Sequence, residues 1–179
     1  RHKNKRRRIN CFRIFMKKVK DILYKVSVQT IIGSTEVDVK HITFDSRNVL
    51  KNSLFIALLG TDFDGHTFID NAIKKGARVI ICQTLPSNII DGKVYVVVDD
   101  SRIALSLIAS SFYNNPSEKL DLIGITGTNG KTTISTLLHK VFNSQDIASG
   151  LISTVEIKFN KRSISTNLTT PDPLTINSS

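Results

Sequence analysis

Three short stretches hold residue types that could do chemistry. The first is Leu122-Ile123-Gly124-Ile125-Thr126-Gly127-Thr128-Asn129-Gly130-Lys131-Thr132-Thr133. Gly127 and Gly130 can take positive φ and leave room for phosphate oxygens beside the main chain. A helix opening at the Lys-Thr pair would point its first, unpaired N–H groups at an anion. Lys131 can reach β- and γ-phosphates, and the Thr132 hydroxyl can hold Mg²⁺. The general phosphate-loop pattern asks for glycine at position 125, where this chain has Ile125, with Gly124 one place early. The core G-x-x-G-K-T is intact. The bland alternative is an ordinary glycine turn before a helix. The second stretch is Phe44-Asp45-Ser46-Arg47, followed by the loop Gly60-Thr61-Asp62-Phe63-Asp64-Gly65-His66. Alone, Asp45-Ser46-Arg47 could be a strand-end turn with a surface ion pair. The third is Thr169-Thr170-Pro171, two hydroxyls that could equally cap a turn.

These residues need elements to hold them. Leu122–Ile125 reads as a short buried strand leading into the glycine loop. Ile134, Leu137, Leu138 and Val141 recur at helical spacing behind it. Upstream, Lys17–Val26 shows helical spacing. Short strands are expected at 29–32, 37–39, 41–44 and 54–58, then at 79–82 and 94–98. The apolar run at 54–58 suggests burial on both faces. Helices are expected over 66–75, closed by Gly76, and from Asp99-Asp100-Ser101 to about Tyr113, with Ile103, Ala104, Leu107, Ile108, Ser111 and Phe112 inward. Strands alternating with helices predict an α/β domain with a partly parallel sheet. The polar, proline-bearing Asn114–Lys119 is the expected boundary, giving domains over 16–115 and 120–179. Downstream, 155–159 and 162–166 flank Asn160-Lys161 as a hairpin, and Pro173 suits the first turn of a helix. One confident strand cannot form the sheet of a nucleotide-binding domain. The expectation is therefore the front part of a longer chain, truncated inside its second domain.

Composition narrows the classes. The 179 residues carry a net charge of +10, of which residues 1–15 contribute seven with no acid. The remaining body is ordinarily charged, so the basic balance does not argue for nucleic acid. The basic head could be a nucleic-acid or membrane-surface tail, a targeting segment, or a disordered extension or upstream read-through, and the last is favoured. Met16, the only methionine, is a plausible native start. Two cysteines, Cys11 and Cys82, offer neither metal spacing nor a disulfide framework, which fits a reducing cytoplasm. Cys82 reads as a buried thiol. His41 and His139 read as structural, His66 as a cap neighbour or structural donor, and Asp99 and Asp100 as helix caps.

Gly-Thr-Asn-Gly-Lys-Thr-Thr resembles the ATP loop of the Mur ligases, which build the peptide stem of peptidoglycan; folate polyglutamate synthetases carry a similar loop. The Phe44–Arg47 block, with Leu54–Gly60 and Asp64-Gly65-His66, resembles the uridine-nucleotide domain of the third-residue (MurE-type) and dipeptide-adding (MurF-type) members. Leu168-Thr169-Thr170-Pro171 is similar to the MurE type. The resemblance covers about residues 17–177. It implies an α/β uridine-nucleotide domain followed by the start of a P-loop ATP domain. It implies an ATP-dependent ligase of cell-wall synthesis that adds a diamino acid to the D-glutamate γ-carboxylate of UDP-N-acetylmuramoyl-L-alanyl-D-glutamate through an acyl phosphate. Meso-diaminopimelate is expected over L-lysine, as the commoner choice in the family. By motif, Gly127, Thr128, Asn129, Gly130, Lys131, Thr132 and Thr133 would bind ATP. Lys131 would stabilise the transferring phosphate, and Thr132 would ligate Mg²⁺. Phe44, Ser46, Thr61, Asp62, Phe63, Thr169 and Thr170 would contact the UDP-muramoyl-peptide. Small molecules alone are the implied partners, with no nucleic acid or membrane, for a cytoplasmic monomer. The family also needs an acidic and histidine metal site, a carbamoylated lysine and a C-terminal domain, which lie outside residues 1–179. The chain alone is therefore expected to release no phosphate. The alternatives are a MurF-type ligase and, from another class, a P-loop kinase or GTPase. A nucleic-acid-binding protein would use only residues 1–15.

Overall fold

The computed structural model describes residues 16–60, 63–159, 162–164 (main chain) and 171–178. By its internal contacts the chain divides into two units, one ending at Ala104 and the other running from Leu105.

The first unit is built on one five-stranded sheet. Its strands are β2 (Val28–Ile32), β4 (His41–Thr43), β5 (Ser53–Ile56), β6 (Ala77–Cys82) and β7 (Val94–Val98), in the order β2-β7-β6-β5-β4. β4, β5, β6 and β7 run parallel, and β2 closes one edge antiparallel to β7. The sequence explains the centre. Val79, Ile80, Ile81 and Cys82 are all fully buried, as are Leu54, Phe55 and Ile56 to within 1%. Each large aliphatic side chain so placed contributes roughly 1.5–3 kcal/mol. Tyr95 joins this core, and its hydroxyl accepts from the main-chain N–H of Ile90 (3.1 Å), which makes its burial tolerable.

The expected helix over 66–75 is a 3₁₀ turn at Gly65–Phe68 followed by α2 (Ile69–Lys74). Ile69, Ala72 and Ile73 are buried, whereas Phe68 is exposed. Gly76 ends α2 at φ +107°, where a side chain would be strained and would meet the Lys51 main chain.

The N-terminal helix expected over 17–26 is mostly absent. Lys17–Lys18 form β1, paired antiparallel with β3 (Asp38–Val39), and only Val19–Ile22 turn helically, as α1. The strand pairing takes the residues that would have made the first turn. Glu36 reinforces it through both Lys18 and Lys20, at 2.5 and 2.7 Å. Val19, Ile22 and Leu23 are nonetheless buried, so the apolar spacing marked the right side chains for another reason.

α3 (Ser101–Phe112) starts in the first unit. Its cap is Asp100, whose Oδ1 accepts from Arg102 N (2.7 Å) and Ile103 N (3.1 Å). Ile103, expected inward, is exposed, while Leu105 and Ala109 are buried with Ala104, Ile108 and Phe112.

In the second unit, α4 (Lys131–Ser144) lies against β8 (Gly150–Ile152). This strand pairs antiparallel with β9 (Ile157–Phe159), which pairs with β10 (Arg162–Ile164) as the expected hairpin. α5 (Pro173–Ser178) begins at the expected proline, capped by Asp172 through the N–H groups of Leu174 and Thr175. Leu122–Ile125 is not a strand, which corrects the sequence expectation. Leu122 is 95% exposed and Ile123 56%, and β8 to β10 pair only with one another. An apolar run becomes a buried strand only where a neighbour supplies main-chain partners, and none is supplied among the described residues. The apolar side of α4 is open for the same reason: Ile134, Leu137 and Val141 are all about half exposed.

Candidate functional site

In the first unit, every connection that could carry chemistry leaves the same edge of the sheet. The parallel register sets Thr43 beside Phe55, Ile56 beside Ile81 and Cys82 beside Val97. Residues after 43, 56, 82 and 98 therefore emerge together, at the carboxyl ends where open α/β sheets bind ligands.

Phe44 and Ser46 sit at the exit of β4. Phe44 is 37% exposed. Asp45 caps the 3₁₀ turn Ser46–Asn48 by accepting from Arg47 N (2.8 Å), and it holds the Arg47 guanidinium through Nε (3.0 Å) and Nη2 (2.8 Å). The guanidinium holds the Asp45 carboxyl below its ordinary range. Behind the turn, Lys75 Nζ donates to the carbonyls of Ser46 (3.1 Å) and Arg47 (3.3 Å). Sequence reasoning missed this lysine, and at 28 or 29 residues' separation no local pattern could have found it.

The exit of β5 forms a hairpin stem. Leu59 bridges Asp64, Gly65 N donates to Leu58 O (2.8 Å) and Gly60 N to Phe63 O (3.0 Å). Phe63 is 77% exposed at its tip. Thr61 and Asp62 lie outside the described residues, as do Thr169 and Thr170.

His66 joins this stem to the exit of β6. Its Nδ1 lies 2.6 Å from Asp64 Oδ1, and its Nε2 accepts from Gln83 N (2.9 Å) and Thr84 N (3.4 Å). The Gln83 side chain continues to the exit of β7, donating to Asp99 O (3.1 Å) and accepting from Ser101 Oγ (3.0 Å). Asp99 is therefore less a cap than a tie, held also by Gln29 and Ser27. The capping carboxylate is that of Asp100.

In the second unit, Gly127 and Gly130 both take positive φ, at +149° and +78°. Gly130 is the N-cap residue of α4 and has no side chain to bond the first helical N–H groups. The loop around them is exposed, and the first N–H groups of a helix have no partner inside it. Lys131 folds back over the loop, donating from Nζ to Gly127 O (2.5 Å) and Thr128 O (3.2 Å). Thr128, Asn129 and Thr133 are exposed, and Thr132, half-buried, is the second residue of the helix. This arrangement can receive an anion of phosphate size on main-chain donors, with one ammonium within reach. Further along α4, His139 is buried and bonded to Ser149 Oγ (2.9 Å), a link between helix and strand approach.

Among the described residues no three His, Cys, Asp or Glu side chains could together hold a metal. No described helix is long and apolar enough to cross a membrane.

Residues 38–113 match the family described as Mur ligase family, catalytic domain, and residues 125–179 match the Mur ligase middle domain. The UDP-N-acetylmuramoyl-L-alanyl-D-glutamate–2,6-diaminopimelate ligase of Cytophaga hutchinsonii is 46% identical over 160 residues, and that of Phocaeicola vulgatus 42%. Each alignment covers 89% of this chain and 33% of the relative, so the chain spans about a third of the curated relatives' length. Among solved structures, a UDP-N-acetylmuramoyl-L-alanyl-D-glutamate–2,6-diaminopimelate ligase matches with a TM-score of 0.65 at 23% identity, covering 91% of this chain and 32% of that one. A MurF from Acinetobacter baumannii matches with a TM-score of 0.56 over 74% of this chain and 28% of its own. At these identities both structures speak to the fold.

Proposed function

This chain belongs to the Mur ligase family, and we propose that it supplies the uridine-nucleotide domain and the opening of the ATP domain of a ligase that adds meso-diaminopimelate to UDP-N-acetylmuramoyl-L-alanyl-D-glutamate. The observation that carries this reading is the extent of the likeness. An alignment over 160 of 179 residues, at 42–46% identity, must include both the Asp45-Ser46-Arg47 turn and the glycine loop. The relatives are named for this reaction.

The roles carry over from the motif resemblance, and the geometry of the described residues among them is compatible with it. Phe44, Ser46 and Phe63, with Thr61 and Asp62, would hold the uridine nucleotide at the carboxyl edge of the sheet. Thr169 and Thr170 would hold the muramoyl-peptide. The loop from Gly127 to Thr133 would seat the ATP phosphates on main-chain donors, and Lys131 would leave the Gly127 and Thr128 carbonyls for the phosphate oxygens. Phosphoryl transfer needs chiefly alignment and charge neutralisation, which these groups supply. The D-glutamate γ-carboxylate would take the phosphoryl group, and the incoming amine would displace phosphate to leave an amide. The Thr132 hydroxyl would be one ligand for a magnesium ion arriving with the nucleotide, and among the described residues no group of three His, Cys, Asp or Glu could hold such an ion alone. When bound, it would neutralise β- and γ-phosphate charge. A cytoplasmic monomer working on small molecules completes the proposal.

Binding to the 179-residue chain tests it. UDP-N-acetylmuramoyl-L-alanyl-D-glutamate and a non-hydrolysable ATP analogue should each bind saturably. Ser46→Ala should weaken only the first and Lys131→Ala only the second. ATP binding with no uridine-nucleotide binding would favour the P-loop kinase or GTPase reading.

A further inference from the structure

We propose that His66 is a positioning residue of the uridine-nucleotide site, a neutral imidazole that locks the hairpin stem bearing Phe63 to the exit of β6. The proposal rests on the uridine reading above. Four observations carry it.

First, both ring nitrogens are committed, and in opposite senses. Nε2 faces two consecutive main-chain N–H groups, those of Gln83 (2.9 Å) and Thr84 (3.4 Å). Two donors pointing at one nitrogen require it to carry the lone pair, so the ring proton sits on Nδ1. It points at Asp64 Oδ1, 2.6 Å away. Neither the opposite tautomer nor the imidazolium satisfies these contacts, since each would set N–H against N–H.

Second, the same carboxylate accepts from His66 N (2.9 Å), so Asp64 is fixed twice over, by the main chain and by the ring of one residue. Asp64 is also one side of the bridge to Leu59 and directly follows Phe63. Third, the stem has no slack. A Cβ at Gly65 would lie 2.6 Å from both the nitrogen and the oxygen of Leu58, so the close crossing of main chain on main chain admits only glycine. Fourth, the anchored end is itself braced. Gln83 reaches Asp99 and the fully buried Ser101 through its side-chain amide. His66 thus transmits the rigidity of β6 and β7 to the exposed aromatic at the tip of the stem.

A histidine that merely filled space would tolerate any isostere. Here the two halves of the ring can be separated chemically. His66→Gln keeps an acceptor near the Nε2 position and loses the Asp64 donor. His66→Asn keeps a donor near Nδ1 and loses the acceptor for Gln83 and Thr84. Each lost hydrogen bond is worth a few-fold to about tenfold.

The 179-residue chain is titrated with UDP, with the ATP analogue as control, and its amide exchange and ¹⁵N imidazole shifts are recorded. The wild-type ring should show a pyrrole-type Nδ1 and a pyridine-type Nε2. His66→Asn should weaken UDP binding about tenfold or more and speed exchange at Gly60 and Gly65. His66→Gln, which loses one hydrogen bond rather than two, should weaken UDP binding less than His66→Asn does. ATP-analogue binding should not move in either. A proton on Nε2, equal losses in the two variants, or unchanged exchange in His66→Asn would overturn the proposal. If the wild type bound no UDP, the uridine reading would fall, while exchange and ring shifts would still decide whether His66 fixes the stem.

Discussion

Replacing Gly130 by alanine isolates one physical quantity, the cost of a left-handed main chain. Gly130 takes φ +78° and ψ −4° as the N-cap of α4. A Cβ there would have as its nearest atom Ile134 Cδ1 at 3.9 Å, so sterics with neighbours contribute almost nothing. What remains is the conformation itself, about 1–2 kcal/mol for an ordinary L residue. The loop is exposed, and its local opening free energy is correspondingly small. The alanine variant therefore relaxes the loop, leaves the rest of the fold alone, and must restore the loop when nucleotide binds. Affinity for an ATP analogue, measured by calorimetry, should fall about 5- to 30-fold. Were the same energy lost globally, the melting point would drop by about 2–8 °C; a shift well below that is expected. Gly130→Asn supplies the control. This chain already places Asn52, Asn114 and Asn115 at φ +62°, +66° and +48°, and asparagine is enriched several-fold in that region. It should recover several-fold of what alanine loses. If alanine binds nucleotide as tightly as glycine, the positive φ is not part of the binding conformation. If asparagine loses as much as alanine, the effect is not conformational.

Three other outcomes are expected. Gly65→Ala should destabilise the first unit by roughly 1–3 kcal/mol in urea titration, because its Cβ would press on Leu58 main-chain atoms that cannot move cheaply. His41 has a buried, unpartnered Nδ1, and burial lowers its pKa from 6.5. The unfolded chain then binds this proton more readily, so stability should fall as pH drops below about 6.5, and His41→Phe should remove that part of the slope. Glu36 is held at about 2 by hydrogen bonds from Lys18 and Lys20. Its depressed pKa contributes stability that is present above 4.5 and lost towards about pH 2. Amide exchange at Val19 and Lys20 should therefore speed up across that window, and Glu36→Gln should abolish the dependence.

The centre of the first unit could be read from its sequence because its signals were local and concordant. β5, β6 and β7 each carry an apolar run, at Leu54–Ile56, Val79–Cys82 and Val94–Val98, and Gly76 and Asp100 cap where such residues cap. The N-terminal segment misled because its apolar spacing fits helix and strand-then-turn alike, and the pairing of Lys17-Lys18 with Asp38-Val39 is non-local. Leu122–Ile125 misled in the opposite sense. Its composition is that of a buried strand, but burial is a property of neighbours, and the described ones do not reach it. At the candidate site the glycine loop was visible as a contiguous motif. Lys75 and Gln83 were not, since each acts on main chain 16 to 29 residues away, where side-chain type gives no hint of use.

The folded-back Lys131 also bears on how this loop should be perturbed. Its ammonium donates to the two carbonyls of Gly127 and Thr128 and draws them together over the loop. Removing the lysine takes away the counter-charge a phosphate would meet and also the staple that keeps those carbonyls converging. A deletion variant therefore reads as the sum of two losses with different salt sensitivities. The charge contribution fades with ionic strength, and the stapling contribution does not. Dissociation constants of wild type and Lys131→Ala across a salt series separate them: their ratio should shrink as salt rises and level off above unity.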